Sequence, residues 1–155
     1  METRVTILVY LLLMTAGCAS VSPAPAVEDT SFYLARFDKV WNVTLKVLEE
    51  KSIPIKTAEK EKGEITTKFV NYSMGNKAHY QLDDIAEKPE VRLAIYTQVG
   101  YSLIIQITPT SEMSTKVKAS AKIEAYDKNA TQKWHVCHSK NVIERNLLEK
   151  IRSEL

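Results

Sequence analysis

The chain has 155 residues, 21 Lys and Arg against 19 Asp and Glu, a net charge of +2, and only 4 Gly, 5 Pro and 2 Cys. Near-neutral charge excludes a dedicated nucleic-acid binder, which needs a strong basic excess. Gly17, Gly63, Gly75 and Gly100 are spaced too far apart to build a Gly-rich phosphate loop, and two cysteines cannot staple a disulfide scaffold.

A hydrophobic share of 45% is that of a globular chain, and the length is that of one domain. The first residues, METRVTILVYLLLMTAGCAS, place Arg4 before an apolar run from Val5 to Met14, followed by small residues up to Cys18. A positive start, an apolar stretch of about 7–15 residues and a small-residue end describe a secretory signal. The run is too short to span a bilayer, which takes about 20 residues. Thr15-Ala16-Gly17-Cys18 resembles a bacterial lipobox. The resemblance implies removal of residues 1–17 and lipidation of Cys18; ordinary cleavage after Ala19 is the alternative. Ala19 is not the Asp that holds such proteins in the inner membrane, so the resemblance implies an outer-membrane address. Residues 18–30 then form a Pro- and Ala-rich tether carrying Pro23 and Pro25, and residues 31–155 one folded domain.

Within 31–50, Phe37, Val40, Trp41, Thr44, Leu45 and Leu48 recur at helical spacing, with Thr30 or Ser31 as the cap. Pro54 stops that helix. Ile53, Ile55 and Thr57 alternate, and so do Ile65, Thr67 and Phe69 beyond the charged turn EKEKGE, which predicts a hairpin. Residues 73–90 have no clear period and read as an irregular loop. Val91, Leu93 and Ile95 predict a further strand, Gly100 a turn or bulge, and Leu103, Ile105 and Ile107 a strand closed by Pro109. The cleanest alternation puts Thr115, Val117, Ala119, Ala121, Ile123 and Ala125 on one face and Lys116, Lys118, Ser120, Lys122, Glu124 and Tyr126 on the other. Such a strand has one covered face and one wet face. A last helix carries Ile143, Leu147, Leu148 and Ile151, with Ser139 or Asn141 as its cap and Glu144 in its first turn. The expected fold is therefore α+β: a two-layer sandwich with a four- to five-stranded antiparallel sheet and an N-terminal and a C-terminal helix on one face.

Phe37 to Leu48 ahead of the first hairpin, the run Gly63-Glu64-Ile65-Thr66, and the close of Trp134, Cys137, Ser139, Ile143 and Glu144 resemble the small helix-grip domains of bacterial envelope lipoproteins. That family includes lipoprotein C of the outer-membrane β-barrel assembly machinery and its relatives. The resemblance implies a non-enzymatic, periplasm-facing domain that docks on another envelope protein in assembly. Lipid-binding helix-grip relatives imply the alternative, a carrier of an apolar ligand in a cavity lined by Phe37, Trp41, Leu103, Ile105 and Leu147.

Chemistry-bearing residues are few. His135, Cys137 and His138, with His79 from the irregular segment, offer metal-ligand types. An extended chain puts His138 opposite the other two, so the expected reading is a buried thiol with surface or packing histidines, and no metal. Asp83, Asp84, Glu87 and Glu90 lack the alternating ligands of a calcium loop and read as solvated. Lys116, Lys118 and Lys122 read as a wet lysine stripe that discourages sheet aggregation. Gly-x-Ser-x-Gly does not occur. No catalytic set and no cofactor is expected.

Overall fold

A computed structural model describes residues 29–155. The expected signal peptide (residues 1–17), the expected lipidation at Cys18 and all but the end of the expected tether lie outside the described residues. Among the described residues no helix is long and apolar enough to cross a membrane.

The fold is α+β, built on one long antiparallel hairpin, β6 (Tyr96–Ser111) with β7 (Ser114–Asp127). Each arm is long enough to carry two short partners end to end. β3 (Glu64–Thr67) and β4 (Val70–Met74) divide the free edge of β6. β1 (Thr30–Tyr33) and β8 (Trp134–Ser139) divide that of β7. β2 (Ile55–Glu59) lies outside β3, and β5 (Ala86–Glu87) outside β8. This end-to-end arrangement makes eight strands where four or five are expected from sequence.

Both breaks in these flanking strands fall at one rung of the hairpin, where Leu103 pairs with Ala121. Their outward N–H groups find no strand there, and side chains take the place of one. Leu103 N–H donates to Thr67 Oγ1 (2.8 Å), and Ala121 N–H donates to Glu144 Oε1 (3.0 Å). Buried N–H groups need such partners.

Alternation along β7 holds as expected: Thr115, Val117, Ala119, Ile123 and Ala125 are buried and Ala121 is half-buried. This face carries two apolar clusters that share Tyr101, Ala121 and Ile143 at the broken rung. Towards the hairpin tip, Leu103, Ile105, Ile107, Val117 and Ala119 pack with α1 (Phe37–Glu50) and α3 (Val142–Glu154). At the open end, Tyr96, Val99, Ile123, Ala125 and Cys137 pack with Ala78, Leu82 and Ile85 of α2 (Ala78–Ile85).

Five expectations are corrected. Thr30 and Ser31 do not cap the first helix: residues 30–33 follow a period of two, burying Ser31 and Tyr33 and exposing Phe32, and pair with β7. The helix starts at Phe37 and stops at Glu50. There Ser52, at φ +54, lets Ile53 N–H reach Leu48 O (2.9 Å) and Ser52 N–H reach Glu49 O (2.8 Å), which closes the last turn ahead of Pro54. Residues 73–90 hold a third helix, α2, whose apolar side is only Ala78, Leu82 and Ile85. Val91, Leu93 and Ile95 form no strand: Leu93 sits at φ +63 and is exposed with Ile95, and β6 begins at Tyr96 and runs through Pro109. Finally, Lys68 and Phe69 interrupt the third strand, so Phe69 leaves the face of Ile65 and Thr67 and Val70 joins the core.

Candidate interaction site

The sheet face away from the helices is read row by row from the strand registers. Its first row is Met74, Gln98, Tyr126 and Trp134; its second is Asn71, Gly100, Glu124 and Val136. Phe69, just before β4, extends its ring over Gly100. A Cβ there would lie 2.3 Å from the Phe69 ring and 2.4 Å from Val70 O, so only glycine admits the ring. Phe69 meets Trp134 at 5.4 Å between centroids and 82° between planes, and Tyr126 leans on Trp134 at 5.7 Å and 58°. The edge-on geometry is the one ring quadrupoles favour. The cluster stays open to solvent: Phe69 is 40% exposed, Trp134 44%, Met74 61% and Val136 62%. Exposed apolar side chains gathered in this way make a candidate interaction surface, whereas scattered ones do not.

Towards the hairpin tip the same face is mostly polar, with Phe32 and Ile104 exposed singly among Lys116, Lys118, Ser120 and Lys122. Lys118 pairs with Asp29 (3.2 Å) and Lys122 with Glu124 (2.9 Å), so the lysine stripe is largely neutralised by its own neighbours. Asp83 of the acidic segment pairs with Lys88 (2.6 Å), and its carbonyl accepts from Lys140 Nζ (2.6 Å).

The metal-ligand types do not converge. His135 and Cys137 face the core opposite Ala125 and Ile123, and His138 sits on the far side of β8. No group of three or more His, Cys, Asp or Glu residues suited to a metal occurs among the described residues. His135 Nε2 lies 2.6 Å from Thr131 Oγ1, which lies 2.9 Å from Asp127 Oδ2, and its ring packs on Tyr96. Cys137 is 5% exposed, and burial pushes its thiol pKa up to about 11. Peptide-resolved alkylation at mildly alkaline pH is therefore expected to leave Cys137 unmodified in the native protein and to label it fully in concentrated guanidinium. Fast native labelling would show an accessible thiol.

Asp127 fixes the turn between β7 and β8. Its carboxylate accepts from the backbone N–H of Ile95 (2.9 Å), Asn129 (3.0 Å), Ala130 (3.3 Å) and Thr131 (2.6 Å), and from Thr131 Oγ1. Burial raises its pKa, but these donors outweigh that and hold the carboxyl far below the ordinary range. A carboxyl depressed in the folded state stabilises fully above its unfolded pKa of about 3.9, and that stability is lost as pH falls towards the folded value. Urea midpoints are expected to decline below about pH 4. Asp127→Asn should lower the plateau above that range and flatten the decline below it. A decline as steep as in the wild type would assign the acid sensitivity to other carboxylates.

The residues expected to line a ligand cavity are packed. Trp41, Leu103, Ile105 and Leu147 are buried in one cluster, with Phe37 against it at 5.8 Å from Trp41. The cavity beside Leu103 and Leu147, also lined by Ile53, Tyr72, Tyr101 and Ile143, holds about 140 Å³. Small-molecule sites usually measure about 300–1,000 Å³. A wider open groove of about 670 Å³ runs along the solvent side of α1, between Leu45 and Ile53–Ile55.

The aromatic corner was not legible from sequence spacing. Tyr126 reads as outward-facing, but Phe69 reads as inward-facing, and Gly100 reads as a turn or bulge. Gly100, set between Val99 and Tyr101 in the strand, is the one signal, since a strand glycine often marks close approach. No protein-family model and no curated protein matches the chain.

Proposed function

We propose that the chain is a non-enzymatic lipoprotein of the bacterial outer membrane. Lipid on Cys18 anchors it, residues 18–30 tether it, and its helix-grip-like domain faces the periplasm and docks on another envelope protein as an assembly accessory. The open cluster of Phe69, Tyr126, Trp134, Val136 and Met74 carries this reading. It is rich in aromatic residues and Met, the types enriched in interface cores, and Asn71, Gln98 and Glu124 are interleaved with them. The anchor is supported by the signal-like segment ending at Cys18. Two or more acyl chains suffice for stable attachment, which leaves the sheet face free for a partner.

The carrier reading draws no support from a core in which Trp41, Leu103, Ile105 and Leu147 are buried together.

Two measurements test the proposal together. Mass spectrometry of the mature N-terminus should find an acylated Cys18, with processing blocked by globomycin. A photocrosslinker at Val136, in intact envelopes, should capture one stoichiometric envelope protein, and one at Glu49 on α1 should not. A free N-terminus beyond Cys18 removes the anchor, and equal capture at both positions or none at either removes the docking face.

A further inference from the structure

We propose that the corner between Phe69 and Trp134 binds an extended, proline-rich segment of a partner protein; this rests on the docking reading above. Four observations narrow the occupant. First, the cluster covers two rows of four strands, about 250–300 Å² at ordinary strand spacings. A stable dimer needs about 800 Å² from each partner, so a short peptide fits the patch and a second copy does not. Second, the main-chain groups beneath the corner are spoken for. β6 pairs with β4 on one side and β7 on the other, and β7 pairs with β6 and β8, so the main-chain groups under the Phe69 and Tyr126 rings are taken. Recognition falls to side chains. Third, two charges of this face towards the hairpin tip are paired within the chain, Lys122 with Glu124 and Lys118 with Asp29, which leaves little there to attract nucleic acid or anionic lipid.

Fourth, the two rings meet at 82°, each with about half its surface open. A sugar is best received by coplanar rings that give it a flat platform. A right-angled corner instead takes a pyrrolidine ring between one face and one edge. Polyproline helix is preformed and has no intramolecular hydrogen bonds to break, so it docks on aromatic surfaces at low ordering cost. Gly100 is the device that makes the corner, because it alone lets the Phe69 ring cross β6 to reach Trp134.

The two tryptophans give separate signals, since Trp41 is buried at 4% exposure and Trp134 is not. The full-length mature protein in detergent micelles is titrated with a polyproline peptide, and the two indole N–H resonances are followed by NMR. The expected result is a saturable shift of Trp134 with Trp41 unmoved, and affinity reduced about tenfold or more in Phe69→Leu and Tyr126→Leu. Melting temperature, measured in parallel, confirms that those variants are folded. No shift of Trp134, an equal shift with a Gly-Ser peptide, or a saturable shift with a chito-oligosaccharide in place of polyproline would each overturn the assignment. If Val136 crosslinks an envelope protein while polyproline leaves Trp134 unmoved, the peptide class is wrong and the docking face stands. If polyproline binds and no envelope protein is captured, the site stands and the docking reading falls.

Discussion

Glu144→Ala is expected to lower the unfolding free energy by about 2–4 kcal/mol, the cost of stripping two buried donors of their acceptor. Glu144 is 2% exposed and joins three elements. It sits in the first turn of α3, where an acidic side chain complements the helix dipole. Its Oε1 accepts from Ala121 N–H in the gap between β1 and β8, and its Oε2 accepts from Ser139 Oγ (3.0 Å) at the end of β8. Ser139 Oγ in turn accepts from Asn141 N–H (3.0 Å) as the chain enters the helix. Alanine leaves the sheet edge unsatisfied and loosens the helix entry together. Glu144→Gln keeps one acceptor oxygen and is expected to recover about half of the loss. Thr67→Val, which removes the plug on the opposite edge of the same rung at nearly constant volume, should cost about 1–2 kcal/mol. Urea unfolding measures all three, with midpoints that fall and slopes that do not change. A Glu144→Ala variant as stable as the wild type would mean that Ala121 N–H finds another partner.

The rung of Leu103 and Ala121 also shows where sequence reading runs out. Alternation in β7 is legible because every partner that decides it lies on the same strand or the next. The strand breaks are not, because the acceptors that fill them are Thr67, 36 residues from Leu103, and Glu144, 23 residues from Ala121. Glu144 reads correctly as a first-turn acid, yet its second task on the sheet edge has no local signature. α2 escapes notice because three apolar positions in eight residues are too few to set a period against His79, Gln81, Asp83 and Asp84. β1 is lost for the opposite reason. Phe32, Tyr33 and Leu34 are apolar in succession, and only the ladder to β7, with Tyr33 Oη donating to Leu148 O (2.8 Å), decides which of them is buried. The aromatic corner combines both difficulties: Phe69 changes face at an interruption of the strand, and its partner Trp134 is 65 residues away.

Gly63→Ala is the second large expected loss, about 2–4 kcal/mol, and Gly75→Ala separates its causes. Both glycines lie in the left-handed region, at φ +65 and +73, so both pay the same conformational penalty of about 1–2 kcal/mol for a Cβ. Their surroundings differ. At Gly75 a Cβ meets nothing within 4 Å, but at Gly63 it would lie 2.1 Å from Ile107 O, a main-chain atom with no rotamer to escape into. Gly63 O also accepts from Ile107 N–H (2.7 Å), so glycine and strand are held against each other where the chain turns into β3. Relieving the overlap means moving β3 away from β6, at the expense of the pairs from Glu64–Gln106 to Thr66–Ile104 and of the buried Ile65 and Ile105. Gly75→Ala should therefore cost only the conformational part, and the gap between the two variants reads the steric part alone. Hydrogen exchange locates it: in Gly63→Ala the amides of β3 and of residues 104–107 should lose protection ahead of those at the open end of the hairpin. Equal losses in the two variants would mean that β3 shifts without strain and that φ alone accounts for the glycine.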